Sequence, residues 1–74
     1  MEIYKTSDIY LAAYLRAKGH KIKEVERPRG KVYFCFEEDE LLKKNKLRFF
    51  NDGLISVTKY KNALSDLKTI IHNT

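Results

Sequence analysis

The densest run of carboxylates, Glu37-Glu38-Asp39-Glu40, is the first place to look for chemistry. A metal-dependent nuclease needs acids converging from separate elements, usually with a lysine beside them. These four are contiguous and stand just before Leu41-Leu42, which suits the first turn of a helix, where acids meet the positive end of the dipole. His20 and His72 are far apart, and neither has a neighbour at ligand spacing, so each reads as a surface or helix-end residue. Cys35 is the single cysteine, which leaves no internal disulfide and no cysteine metal set. A reactive thiol needs a partner that lowers its pKa. Lys23 across a hairpin is the one such partner in view, so Cys35 reads as a small core or half-buried residue. Ser7 with Asp8 reads as helix capping. No Ser/His/Asp set and no glycine-rich phosphate loop is present. The expectation is a protein with no catalytic residue, no metal site and no cofactor, and not an enzyme.

The bases are more informative. Lys18, Lys21, Lys23, Arg27, Arg29 and Lys31 form one group, and Lys43, Lys44, Lys46 and Arg48 a second. A β-ribbon with an arginine-rich tip can enter a groove or track phosphates, and Tyr33 beside it could stack on a base. Against this, lysine is the usual filler of solvated faces, and Glu24 and Glu26 in the same hairpin repel phosphate. The candidate contacts to DNA or RNA are Lys21, Lys23, Arg27, Arg29 and Lys31.

These residues depend on the elements that carry them. Thr6 to Gly19 reads as a helix, with Thr6 as N-cap, Ser7 as the alternate cap, Asp8 in the first turn and Gly19 as the left-handed residue that ends it. At about 100° per residue its apolar side chains sweep more than half the surface, so it must be covered on more than one side. Ile3 and Tyr4 form a brief edge strand or simply lead into the helix. His20 to Arg27 and Lys31 to Glu37 flank Arg27-Pro28-Arg29-Gly30. Pro28 suits the second position of a type I turn and Gly30 the left-handed residue after it, a three-residue hairpin loop with a bulge. That register sets Ile22 near Phe36 and puts Val32, Phe34 and Phe36 on the helix-facing side. Tyr33, Cys35, Val25 and Lys23 fall on the other.

A second helix is expected over 38–50, with an apolar stripe of Leu41, Leu42, Phe49 and Phe50 that Asn45 interrupts. Asn51-Asp52-Gly53 ends it, and Leu54 to Val57 is a short extended piece. The same tripeptide could instead join strands Leu47–Phe50 and Leu54–Val57 in a second hairpin. Thr58 caps the last helix, whose Tyr60, Ala63, Leu64, Leu67, Ile70 and Ile71 share about 120° of arc. The fold class is α+β, a small single domain over residues 1–74 in the order helix, β-hairpin, helix, short strand, helix.

The opening Tyr4-Lys5-Thr6-Ser7-Asp8-Ile9-Tyr10-Leu11-Ala12-Ala13-Tyr14-Leu15-Arg16-Ala17-Lys18-Gly19 resembles a family of short bacterial and phage proteins filed as a domain of unknown function. Phe34-Cys35-Phe36-Glu37 and the 51–71 region are similar to the same family. The resemblance covers nearly the whole chain, and its motifs are structural, so it implies one domain and carries over no activity. A second functional class stands beside nucleic-acid binding: a phage- or mobile-element-encoded module that docks on a host protein as inhibitor or adaptor. Tyr10, Tyr14 and Tyr60 are its candidate interface residues. Interfaces favour Tyr and Arg, so composition does not separate the two classes.

Fifteen Lys and Arg against ten Asp and Glu give a net charge of +5, which favours an anionic partner and also serves solubility. A chain of this size has a marginal core and often gains stability by oligomerising, so a homodimer is expected. No apolar run approaches the ~20 residues that cross a bilayer. The lone cysteine and absent signal pattern make the expected setting cytoplasmic, with no membrane partner.

Overall fold

The computed structural model describes residues 2–73. Strand β1 (Ile3–Thr6) leads into helix α1 (Ile9–Ala17). Then follow β2 (Ile22–Glu26), β3 (Tyr33–Glu37), α2 (Glu40–Phe50) and α3 (Val57–Asn73). The strands form one antiparallel sheet in the order β1-β3-β2. The α+β class holds, but the chain opens on a strand rather than a helix. The third strand is the N-terminal edge strand, paired to β3 from Ile3↔Glu37 to Thr6↔Phe34. Leu54 to Val57 adds nothing to the sheet, because Val57 already begins α3.

Helix boundaries follow from local hydrogen bonds. Thr6 is still paired in β1, so it cannot cap α1. Its Oγ1 accepts from Asp8 N–H at 3.1 Å. Asp8 is the N-cap instead, with extended backbone and a carboxylate that accepts from Tyr10 and Leu11 N–H at 2.9 and 3.2 Å. Gly19 ends α1 as expected, at φ +101°. His20 N–H donates to Leu15 C=O and Gly19 N–H to Arg16 C=O, both at 3.0 Å, which is the Schellman pattern. Asp39 caps α2, its carboxylate accepting from Leu42 N–H at 2.7 Å, so the helix starts two residues later than the acid run indicated. At the far end Asp52 takes the left-handed conformation and Gly53 N–H donates to Arg48 C=O at 2.6 Å. Asn51-Asp52-Gly53 therefore closes a helix, and the second hairpin does not form. Ser56, not Thr58, starts α3. Its hydroxyl accepts from Lys59 N–H and its carbonyl from Tyr60 N–H.

The hairpin also departs from its expected shape. Ile22 pairs with Phe36 as foreseen, but a bulge between Ile22 and Glu24 shifts the remaining pairs by one. Val25 therefore sits opposite Phe34 and packs on the core, not on the outer face. The connection spans 27–32, longer than three residues, and both Arg29 (φ 55°) and Gly30 (φ 83°) are left-handed. Lys31 N–H donates to Pro28 C=O at 3.2 Å, so the apex is a turn about Arg29-Gly30 with two positive φ values, the hand that matches strand twist.

The core is built around α1. Leu11, Ala12, Ala13 and Leu15 are buried together with Phe34 and Phe36 from the sheet, Leu42 from α2, and Ala63 and Leu67 from α3. Each fully buried large side chain contributes roughly 1.5–3 kcal/mol. The cover that the sequence requires on more than one side of this helix comes from the chain itself: Leu11, Tyr14 and Leu15 are no more than 3% exposed. Tyr10 alone among the named α1 residues lies open. On α2 the inward residues are Leu42, Asn45, Lys46 and Phe49, about 100° of arc, while Leu41 and Phe50 fall at its two margins and are exposed. A core that accepts only the middle of an apolar arc must accept the polar residues lying there. Asn45 is buried at 2% exposure, with its Nδ2 2.9 Å from His20 Nε2 and its Oδ1 accepting from Arg48 at 3.3 Å.

Candidate functional site

The four acids of the run are each engaged separately. Glu37 faces Lys23 at 3.6 Å, Glu38 pairs with Lys46 at 2.9 Å, Asp39 caps α2, and Glu40 faces Lys43 at 3.7 Å. Among the described residues no three His, Cys, Asp or Glu side chains converge as a metal site would require. His20 is held against Asn45, and His72 lies exposed near the end of α3. Cys35 is buried on the outer side of the sheet, beneath the Lys5–Glu26 pair that reaches across β3 at 3.0 Å. Burial pushes its thiol above the usual range and Glu26 adds to the effect, against a smaller opposing pull from Lys5. The thiolate is therefore disfavoured, the reverse of what a nucleophile needs.

The structure divides the five candidate nucleic-acid contacts. Arg27 is a structural clamp: one guanidinium nitrogen donates to Ile70 C=O at 2.9 Å and to Ile71 C=O at 3.0 Å. Those carbonyls belong to the last turn of α3, and the charge sits at the negative end of the helix dipole. Lys23 lies in the bulge and is drawn to Glu37. Lys21, Arg29 and Lys31 remain exposed. Lys31 lies 5.7 Å from the centroid of the Tyr33 ring, a half-buried side chain rather than an open stacking platform. The second basic group is largely consumed: Lys46 sits 3.8 Å over the Tyr4 ring and on Glu38, Arg48 bonds Asn45, and Lys43 faces Glu40.

Replacing Arg27 by Ala is expected to cost about 1–2 kcal/mol. The melting temperature should then fall by roughly 4–16 °C, with faster amide exchange confined first to residues 70–73. An unchanged melting temperature would show that the clamp is not a stabilising contact.

Lys21 opens onto a cleft of about 360 Å³ between the end of α1 and the first half of α3, lined also by Arg16, His20, Lys59, Asn62 and Asp66. Arg16 and Asp66 approach only to 3.5 Å, both well exposed, so that pair is weak. Lys21 and Lys59 have no carboxylate within salt-bridge distance among the described residues. Because Arg27 binds the far end of α3, that helix runs alongside β2, with Lys21 and Lys59 at one end of the seam and Arg29 and Lys31 at the other. Five extended residues put the two ends about 17 Å apart. Sequence reading missed the cleft, because Lys59 joins Lys21 only through the packing of α3. One signal was legible: a lysine in the first turn of a helix, where the dipole favours acids.

The three candidate interface tyrosines part company. Tyr14 is buried and cannot meet a partner, a correction that follows from its place on the covered side of α1. Tyr10 is exposed, and Tyr60 is half-buried. Burial raises the Tyr60 hydroxyl above its ordinary value, with smaller contributions from nearby Tyr10 and Asp8, so the two rings share one region of the α1–α3 surface.

Among the described residues no helix is long and apolar enough to cross a membrane. No curated protein and no solved structure matches the chain. A protein family does: DUF5659, described as a domain of unknown function, matches residues 1–73. The chain is a member of that family.

Proposed function

We propose that this domain is a non-enzymatic binding module that contacts the phosphate backbone of DNA or RNA along the β2–α3 seam. The observation that carries the reading is the line of cations there with no carboxylate within salt-bridge distance among the described residues: Lys21 and Lys59 at the cleft, Arg29 and Lys31 at the hairpin apex. The neighbouring Arg27 is engaged by the end of α3 instead of meeting the ligand, and Lys23 faces Glu37 in a weak, exposed pair. Arginine in a left-handed conformation costs about 1 kcal/mol relative to glycine, so Arg29 stands at the apex against its local backbone preference. Side chains of this kind position a nucleic acid and read few bases. A protein-binding module is the second reading, supported by Leu47, Phe50, Leu54 and Val57, large apolar side chains left exposed around the α2–α3 corner.

Fluorescence anisotropy with short DNA and RNA oligonucleotides tests the first reading. The Lys21→Ala/Arg29→Ala/Lys31→Ala triple variant is expected to bind more weakly, and its log–log salt slope should be shallower by about 2–3. Retention of the parent affinity and slope in the triple variant would defeat the reading, as would failure of the parent chain to bind either nucleic acid at low salt.

A further inference from the structure

A second groove, of about 380 Å³, adjoins the first across Ala17 and Lys59. Lys18, Leu54, Ile55 and Ser56 complete its walls. It exists because α1 stops at Ala17 and residues 51–56 pass from α2 to the start of α3 beside that end. Two properties of the lining decide what fits. First, Leu54 is 89% exposed, so its whole side chain stands in solvent at the rim. Nothing in the fold uses it, and neither a phosphodiester nor a free anion offers it an apolar partner. Second, the charge is of one sign. Lys18 and Lys59 face the groove, no carboxylate lines it, and neither lysine has an acid within salt-bridge distance among the described residues. Lys59 lies in the first turn of α3, where the helix dipole adds to its positive potential.

We infer that this groove docks an acidic, apolar-anchored segment of another protein: an apolar side chain packs on Leu54 and Ala17 while flanking carboxylates meet Lys18 and Lys59. A second copy of this chain is the poorer occupant. A two-fold contact sets a surface against itself, which would oppose the two lysines with their own images in a chain of net charge +5. The inference shares Lys59 with the nucleic-acid reading and otherwise uses different residues, so loss of Lys21, Arg29 and Lys31 separates the two.

The test uses the full chain, isotopically labelled, titrated at about 150 mM salt with three peptides of equal length. The first alternates leucine pairs with glutamates, the second carries lysine in place of glutamate, and the third is oligoglutamate. The acidic-apolar peptide is expected to bind at least about tenfold more tightly than either of the others. Its shifts should centre on the amides of Ala17, Lys18, Leu54, Ile55, Ser56 and Lys59. Leu54→Ser, a change at an exposed site, should weaken that binding at least about fivefold while leaving the melting temperature in place. The Lys21→Ala/Arg29→Ala/Lys31→Ala variant should bind the peptide as the parent does. Equal binding of oligoglutamate, shifts centred elsewhere, or no binding overturns the inference. So does a light-scattering mass of two chains that Leu54→Ser returns to one, which would assign the groove to self-association.

Discussion

Phe36→Ala is expected to lower the cooperative unfolding transition by roughly 12–40 °C or to abolish it. Phe36 has no exposed surface and stands in the central strand, opposite Tyr4 on one side and Ile22 on the other. Its ring reaches the cluster formed by Leu11, Leu15 and Leu42, so truncation leaves a void bounded by three elements that cannot all move inward. Removing a buried phenylalanine ring costs about 3–5 kcal/mol. A chain of this length has roughly 4–11 kcal/mol of stability in all. The change therefore removes between about a quarter and the whole of it. Thermal and urea melts decide the matter, with Phe50→Ala as the comparison. Phe50 is 69% exposed and touches Phe49 edge-on at 5.1 Å, so its loss should cost no more than about 1 kcal/mol. Similar losses in the two variants would mean that the core is not where the structure places it.

The second large effect is at Gly53, and it reverses the usual reason for a glycine. Gly53 follows the left-handed Asp52 and does not itself need a positive φ. What it needs is space. A Cβ added there would stand 2.8 Å from both Arg48 Cβ and Arg48 C=O, and closer still to the Tyr14 hydroxyl. Two of those three atoms belong to α2 and cannot yield without disturbing the bond from Gly53 N–H that ends the helix. Gly53→Ala is expected to cost about 3 kcal/mol. The corresponding fall in melting temperature is roughly 12–24 °C. Tyr14 supplies an internal check. Its hydroxyl is buried and has no hydrogen-bond partner among the described residues, a situation that costs about 1–3 kcal/mol. Tyr14→Phe alone should therefore raise stability by about 1 kcal/mol. In the Gly53→Ala background it should recover about 1 kcal/mol more, because it also removes the nearest clashing atom. Additive behaviour of the two changes would show that the turn and the tyrosine do not meet.

Much of this architecture was legible in the residues. The stripe Tyr60, Ala63, Leu64, Leu67, Ile70 and Ile71 has a single period and a single face, and all six side chains lie in or against the core. Gly19 ended its helix where a left-handed residue was required. The errors share a cause: local signals were read without knowing what else the same residue was doing. Thr6 has the chemistry of a cap, but strand pairing claimed its backbone first. Ser56 took the capping role expected of Thr58 because α3 starts earlier. On α2, four apolar residues spread over half a turn, and only contact with α1 selects the arc that turns inward. Charges were the least legible. Arg27 and Arg29 are two positions apart and look equivalent, yet one grips the end of a helix 43 residues away and the other stands free at the apex. Sequence shows how many cations exist; the fold decides which are spoken for.

The central position of α1 has a consequence for biosynthesis. That helix is finished at Ala17, yet one of its covering faces comes from Ala63 and Leu67, made about fifty residues later. At ribosomal speeds of about 5–20 residues per second, the interval is roughly 3–10 s. Throughout it the face of α1 that α3 covers has no lasting partner, even though β3 and α2 are made in the meantime. A message cut short before Val57 would yield a polypeptide with that one face permanently bare, prone to clump or to engage a chaperone, whereas the finished chain can bury it.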